Sequence, residues 1–330
     1  MEEKTFASIG RVEAIRQLYE GTSFKPFLEP LSIESQGRDL IVISTALLLE
    51  GVDFDLVYFP LRHLGAKAVL CVTGELYASL AHPRTLSVIL GVSAKLDFKH
   101  IKELWEGVCH TAREHGYVDV SLELQPSRNG LSISLSASGI VRQITSSRRL
   151  KPQSKELLCV SGSLGAAYLG MQLLEREKVK FENGGQARLD DYKMLVAAYL
   201  KPELPSGVVA MLEDAELYPS CGLFVRHGLA DAALRLARQS GLGVKVYADK
   251  IPFEGGSFDF GREADIDTVS AAMNGGDDYK LLFTIPIRHY ERFRKDFQTF
   301  DIIGHLCQPE AGAVVVTPDG VELPLTAQGW

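Results

Sequence analysis

Alternation between apolar and polar residues predicts several strands in the first half of the chain. In residues 131–137, Leu-Ser-Ile-Ser-Leu-Ser-Ala, the two kinds of side chain alternate strictly. Since successive side chains of a strand point to opposite faces, this pattern is typical of a strand with one face on a core. Apolar runs predict further strands at 39–44, 67–72 and 85–92, and helical spacing of apolar residues predicts a helix over 98–115.

The second half repeats this mixture of strands and helices. Residues 156–160 are predicted to form a strand that runs into a glycine turn at 161–165, Ser-Gly-Ser-Leu-Gly, and then into a helix. Such a turn can direct backbone N–H groups at an anion, or its glycines can simply permit a tight turn. A further helix is predicted near 229–239, with strands at 244–247, 280–285 and 313–316.

These elements predict an α/β fold of the α+β type, with mixed sheets covered by helices. A basic, polar segment at 146–155 interrupts the pattern and is typical of an exposed linker. We therefore predict an N-terminal domain of residues 1–147 and a C-terminal α/β domain of residues 148–330. A length of 330 residues agrees with two domains, since it exceeds the usual size of a single core.

Composition and net charge limit the classes of binding partner and the cellular compartment that we expect for this protein. The net charge of −7 gives no electrostatic reason to expect binding to nucleic acid or to an anionic membrane. The N-terminus lacks the pattern of a signal peptide, and the apolar run at 40–49 is too short to span a bilayer. Five cysteines without a CxxC pair are interpreted as reduced thiols, and the histidines lack zinc-type spacing. We expect a cytoplasmic protein.

Four segments, spread over most of the chain, carry a specific similarity to one family. They are STALLLEGVDFDLVYFPLRHLGAKAV from residue 44, LCVSGSLGAAYLGMQLLEREK from 158, NGGDDYKLLFTIP from 274, and LTAQGW at 325–330. In order and spacing they resemble the thiamine-monophosphate kinase family, within the superfamily of aminoimidazole-ribotide-synthetase-like ATP enzymes. The resemblance implies that two-domain fold, with an N-terminal ATP-binding domain that dimerises through its sheet. It also implies transfer of the ATP γ-phosphoryl group to thiamine phosphate, giving thiamine diphosphate.

Magnesium is the cofactor, beside ATP, on which this reaction depends. Phosphoryl transfer needs neutralisation of crowded phosphates, and Mg²⁺ prefers hard oxygen ligands in a tight octahedron. The resemblance implies metal-binding aspartates where this chain has Ala46, Phe224 and His227. Carboxylates remain at Glu75 and Glu123, and by a looser alignment at Glu29. These three are candidate metal ligands, or they are solvated surface acids.

The same resemblance implies residues that contact the two small molecules. For ATP these are Thr45, Arg149, which stands where the family has an arginine, and Arg226, a cation that could neutralise phosphate. Arg149 could equally be a solvated linker cation. The substrate-binding candidates are Asp53, which replaces a family histidine, Asp277, which replaces a glutamate, and Trp330, whose indole could face the thiazolium cation. Asp277 could instead belong to a plain turn, and Trp330 could be loosely packed. The sequence assigns no catalytic residue.

The leading hypothesis is a thiamine-monophosphate kinase homologue, homodimeric, whose kinase activity is weak or lost. Such a pseudoenzyme could bind nucleotide or thiamine phosphate as a sensor, or associate with an active paralogue. A second hypothesis is an active ATP-dependent thiamine-phosphate kinase with a rebuilt, glutamate-based magnesium site. A third is a superfamily enzyme that acts on a different small phosphate or carboxylate acceptor.

Overall fold

Two mixed β-sheets, each packed with helices, form the protein. The structure is a computed structural model that describes residues 11–23, 30–34 and 39–327. The first sheet has the strand order β1-β2-β5-β3-β4. Its strands are β1 (Leu31–Glu34), β2 (Leu40–Leu49), β3 (His82–Ser93), β4 (Asp119–Ser127) and β5 (Ser132–Val141). The predicted strands at 39–44, 85–92 and 131–137 are confirmed as parts of β2, β3 and β5.

Helices cover one face of the first sheet. The helices of this half are α1 (Arg11–Tyr19), α2 (Leu61–Ala78), α3 (Phe98–Glu114) and α4 (Gln143–Arg148). Helices α2 and α3 cross very closely, because a Cβ atom on Gly65 would lie 2.1 Å from the carbonyl oxygen of Leu104. On the opposite face Thr45, Leu47 and Ile89 are exposed, and no described element covers them. We call this the uncovered face.

The run 67–72 is the one predicted strand that proves wrong. It lies inside α2, an 18-residue helix that follows Pro60. All six residues of this stretch are buried, because α2 packs against the sheet, against α3 and against the second half of the chain. A helix buried on all sides has no polar stripe, so its sequence has the same apolar run as a buried strand. Glu75 therefore lies on a helix and not at the end of a strand.

The second sheet has the strand order β12-β11-β8-β10-β6-β9-β7. Its strands are β6 (Leu157–Val160), β7 (Gly222–Val225), β8 (Gly243–Tyr247), β9 (Lys280–Ile285), β10 (Asp301–Cys307), β11 (Ala313–Val316) and β12 (Glu322–Pro324). Its helices are α5 (Ala166–Glu182), α6 (Lys193–Leu200), α7 (Val208–Asp214), α8 (Leu229–Ser240), α9 (Ser257–Ala264), α10 (Thr268–Asn274) and α11 (Tyr290–Asp296). The predicted strands and the two predicted helices of this half are confirmed.

The two halves share a hydrophobic core. Buried residues of α2 pack in one cluster with Phe224, Tyr279 and Phe283 of the second sheet. No residue of the predicted exposed linker, 146–155, is fully buried, and its first three residues complete helix α4. Thr145, just before this segment, is buried and donates a hydrogen bond to Glu213. The domain boundary after residue 147 stays a prediction. In the described part of the chain no helix is both long and apolar enough to cross a membrane.

Candidate functional site

Lys67 is a buried lysine in the middle of helix α2. Its side chain is 1% exposed, and its Nζ atom lies 2.9 Å from Oδ2 of Asp277. The same nitrogen lies 3.3 Å from the carbonyl oxygen of Tyr199. It also lies 3.8 Å from the ring centroid of Tyr199, with the rings of Phe59 and Tyr279 at 5.3 and 5.7 Å. A buried ammonium group needs such partners, since burial of an unpaired charge costs several kcal/mol, on the order of 3 to 5.

The loop 274–279 presents Asp277 to this lysine. Gly276, Asp277 and Tyr279 all have positive φ angles, 82°, 61° and 55°. Non-glycine residues rarely adopt that conformation, so neighbouring contacts must hold the loop in place. The backbone N–H of Asp277 donates to the carbonyl of Arg226 at 2.7 Å, and the N–H of Tyr279 donates to the carbonyl of Val225 at 3.1 Å. The loop is therefore fixed against the end of β7.

Asp278 anchors the same loop on its other side. Its carboxylate accepts hydrogen bonds from the backbone N–H groups of Gly165 (2.8 Å) and Ala167 (3.3 Å), at the beginning of α5. The glycine turn, for which the sequence left open anion binding or a simple tight turn, thus binds a carboxylate of the chain itself. Burial raises the pKa of the Asp278 carboxyl to about 7, although the two N–H groups favour its charged form.

Asp53 and Arg226 complete this cluster. The Asp53 carboxylate accepts the N–H of Leu49 at 2.8 Å, and its carbonyl accepts the hydroxyl of Tyr199 at 3.1 Å. Burial raises the pKa of Asp53. The hydrogen bond from the Leu49 N–H and the positive charges of Arg226 and Lys67 act in the opposite direction. Burial lowers the pKa of Arg226, but neighbouring groups, Asp277 and Asp53 among them, raise it above its usual value overall.

The structure therefore brings together three residues from the sequence-based set, Asp53, Asp277 and Arg226. It adds Lys67 and Tyr199, which the sequence analysis did not single out. A lysine inside an otherwise apolar helical run was the available signal for Lys67. No signal in the sequence identified Tyr199, since its role depends on its hydroxyl and carbonyl reaching two other segments.

Phe224 and Ala46 occupy the shared core. Phe224 is 0% exposed and packs edge-to-face on Tyr279, with ring centroids 5.3 Å apart. A Cβ atom on Gly74 of α2 would lie 2.1 Å from the Phe224 ring, so the ring fills the space beside that helix. Ala46 packs against the same core cluster. The side chain of His227 is more exposed, and desolvation together with Arg11 and Arg226 lowers its pKa.

Glu75 forms an ion pair with an arginine. Its two carboxylate oxygens accept hydrogen bonds from Arg235 of helix α8 at 3.3 and 3.5 Å. Arg235 is 4% exposed and also lies 3.9 Å from the buried Asp231, to which Arg11 is paired at 3.1 Å. The negative charge of Glu75 is therefore already balanced by a side chain of the protein.

Glu123 and Thr45 lie on the uncovered face of the first sheet. Glu123 is in register with the exposed Ile89 of β3 and accepts a hydrogen bond from the side chain of Gln125 at 2.9 Å. Helix α2, which carries Glu75, packs on the opposite face. Within one chain, Glu75 and Glu123 thus lie on opposite sides of the sheet. Glu29 and Trp330 lie outside the described residues.

The described residues do not fit a magnesium cluster. Ala46 and Phe224 offer no oxygen ligand, Glu75 is paired with Arg235, and Glu123 lies across the sheet. No three histidine, cysteine or acidic side chains in the described segments are grouped so that they could hold a metal ion. Mg²⁺ requires several oxygen ligands in near-octahedral geometry, and this set does not supply them.

Arg149 lines a cavity of about 390 Å³ between the two sheets, together with Glu75, Arg235 and Ser146. Its Nε donates to the carbonyl of Ser220 at 3.1 Å, and within the described ranges no carboxylate forms an ion pair with it. Burial lowers the pKa of Arg149, because its charge is removed from water. The predicted ATP-contacting arginine and the predicted metal ligand Glu75 thus share one cavity.

Comparison with known proteins supports the resemblance. Residues 30–141 match the family model "AIR synthase related protein, N-terminal domain". The thiamine-monophosphate kinase of Aquifex aeolicus (strain VF5) is 22% identical, over 89% of this chain and 90% of that protein.

Solved structures share the fold over nearly the whole chain. A structure described as AaThiL complexed with AMPPCP and TMP superposes with a TM-score of 0.80 at 21% identity, covering 98% of this chain and 97% of that one. Hydrogenase maturation protein HypE in complex with ATP gives a TM-score of 0.66 at 17% identity, covering 97% and 96%. The chain thus has the AIR-synthase-like fold of these structures, and it is similar in sequence to thiamine-monophosphate kinase over most of its length.

Proposed function

We propose that this relative of the thiamine-monophosphate kinases binds a nucleotide and thiamine phosphate, but transfers phosphoryl groups weakly or not at all. The observation that carries the proposal is the packing of Phe224. Its ring is buried against Gly74 and Tyr279, where the resemblance implies a metal-binding aspartate. An aspartate can bind the magnesium ion that neutralises transferring phosphates, and a phenyl ring cannot.

Ligand binding has separate support from the charged cluster. Asp277 is partly exposed and can face a cation, while Arg226 can face a phosphate group. Asp277 lies on a loop that is hydrogen-bonded on two sides, so its position is set before a ligand arrives, and Arg226 directly follows the strand end to which that loop is bonded. The related structure complexed with AMPPCP and TMP has the same fold, which makes a nucleotide and a thiamine phosphate the first ligands to test.

Homodimer formation through the uncovered face belongs to the same proposal. Leu47 and Ile89 are exposed there although their neighbours along the strands are buried. The two lie in one row across the sheet with Ser134 between them, and exposed apolar side chains favour burial against another surface. Dimerisation would also place Glu123 and Thr45 near a second subunit.

An active kinase with a glutamate-based magnesium site is the second candidate function. It is favoured by the two carboxylates that remain at family metal positions, Glu75 and Glu123. It requires that Glu75 leave Arg235 and that Glu123 reach a metal through a second subunit, because the two lie on opposite sides of their own sheet.

The test is an assay of purified protein with ATP, Mg²⁺ and thiamine phosphate, in which thiamine diphosphate is quantified. We expect little or no product, together with a rise in melting temperature on addition of ADP or thiamine phosphate. Ala46→Asp alone is expected to leave turnover unchanged, because Phe224 still fills the core. Robust turnover that disappears in both Glu75→Gln and Glu123→Gln would favour the active kinase instead.

A further inference from the structure

We propose that a second cavity of the protein binds a small organic anion, in which a phosphate or carboxylate group is attached to an apolar body. The cavity lies between helices α2 and α3 on one side and the segment 201–206, which follows α6, on the other. Its volume is about 790 Å³, about twice that of the cavity at Arg149, and the two cavities share no lining residue. Asp53, Asp277 and Arg226 do not line it either. A ligand here would therefore occupy a site separate from those of the proposed function.

Two cations of the lining lie close to the same histidine. Desolvation lowers the pKa of the His63 ring, and the positive charges of Lys201 and Arg62 lower it further. Within the described residues neither cation forms an ion pair, whereas the exposed Arg148 pairs with Glu216 at 2.6 Å. Like charges that face one region repel each other, and an anion between them removes that repulsion and accepts their hydrogen bonds.

The other charges of the lining leave it positive. Lys280 adds a third cation; burial raises the pKa of Asp278, and Lys280 is one of the groups that oppose this rise. Two exposed carboxylates, Glu114 and Glu203, also line the cavity, and in the described part of the chain neither is paired with a lining cation. With neutral histidines the lining carries a net charge of +1, in a chain of net charge −7. This local sign favours an anion over a cation.

The lining also has an apolar part, which would contact the body of the ligand. Ala66 and Leu70 lie one turn apart on α2, and Pro202 and Leu204 belong to the opposite segment. Pro202 and Leu204 are buried while Lys201 is exposed, so the segment is anchored directly after the cation that it presents. Small-molecule sites commonly combine an apolar lining with a few polar groups in a volume of roughly 300 to 1,000 Å³.

Phenyl phosphate and benzoate are the probes, and their binding to the full chain is measured by calorimetry. We expect both to bind, inorganic phosphate to bind more weakly than phenyl phosphate, and benzylamine, which replaces the anion by a cation, not to bind. Lys201→Gln and Arg62→Gln should each weaken the binding of phenyl phosphate by about threefold to tenfold, through loss of a charge-assisted contact. Lys193→Gln is the matched control, since Lys193 is exposed at the other end of α6 and pairs with Asp190.

His63 gives a second readout, which a change in stability alone would not produce. In an NMR titration, bound phenyl phosphate should raise the pKa of the His63 ring, because the anion offsets the charges of Lys201 and Arg62. Saturating ADP or thiamine phosphate should leave the affinity for the probe unchanged. Failure of both probes to bind at millimolar concentration would overturn the inference, as would equal affinities of the Lys201→Gln and Lys193→Gln variants. Displacement of the probe by ADP or thiamine phosphate would overturn the separate site and leave the proposed function intact.

Discussion

The ammonium group of Lys67 and the carboxylate of Asp277 lie 2.9 Å apart and join the long helix of the first sheet to a loop of the second. The lysine is fully enclosed, while the aspartate retains access to solvent. Since a buried charge must be balanced, this contact holds the two halves of the chain in register around the candidate site.

Removal of Lys67 tests that relationship. Lys67→Met should lower the free energy of unfolding by about 2 to 4 kcal/mol, because Asp277 loses its partner in a partly buried place. The double variant Lys67→Met with Asp277→Asn should recover part of that loss, since no unpaired charge remains. Urea unfolding of both single variants and the double variant gives the coupling energy. Strictly additive losses would show that the two side chains do not stabilise each other.

The contact between Gly74 and Phe224 predicts that a larger side chain at position 74 lowers the free energy of unfolding. Gly74→Ala places a methyl group where the Phe224 ring lies, so we expect a loss of about 1 to 3 kcal/mol in unfolding free energy. In a Phe224→Leu background the same alanine should cost much less, because the smaller side chain leaves room. Gly255→Ala serves as a control for glycine replacement, since its Cβ would have no atom within 4 Å and its φ does not lie in the positive region. A Gly74→Ala cost that persists unchanged in the Phe224→Leu background would contradict this packing.

Asp278 predicts a pH dependence of stability. Its folded-state pKa, about 7, lies above the ordinary value of 3.8, because burial disfavours the charged form. From about pH 4 to pH 7 the folded state therefore holds a proton that the unfolded state has lost. The stabilisation that Asp278 contributes is therefore present at the acid end of that window and is lost as the pH rises to 7. Over this range the free energy of unfolding falls by up to about 1.4 kcal/mol per pH unit.

The measurement compares wild type with Asp278→Asn by urea unfolding between pH 5 and pH 8. Asparagine has nearly the same shape and does not titrate, so the difference in unfolding free energy should change with pH up to about 7 and then level off. Parallel pH profiles for the two proteins would contradict the assignment to Asp278.

The uncovered face predicts a dimer that a single charge disrupts. Ile89→Asp should shift the protein towards monomer in light scattering at micromolar concentration, because a carboxylate would be buried without a partner. Phe98→Asp is the matched control, since Phe98 is exposed at the beginning of α3, on the helical side of the sheet. A wild type that is monomeric at high concentration would refute the dimer directly.

Local sequence patterns predicted most strands and helices, because alternation and helical spacing report which side faces a core. They failed for α2, where burial on every side erased the polar stripe. The substitutions at Ala46 and Phe224 were visible in the sequence, but the packing of Phe224 against Gly74 and Tyr279 was not. Arg235 was also missed, since it lies on an ordinary amphipathic helix and its partner Glu75 is far away along the chain.

Asp277 and its partner also bear on which ligands this protein can accept. A ligand cation that draws the Asp277 carboxylate towards itself would deprive the Lys67 ammonium of its ion-pair partner, in a place lined by aromatic rings and the Tyr199 carbonyl. A ligand that carries its own anionic group can compensate for that loss, and a simple cation cannot. We therefore expect the protein to discriminate between zwitterionic and purely cationic ligands: thiamine phosphate should bind more tightly than thiamine, and Lys67→Met should reduce the difference.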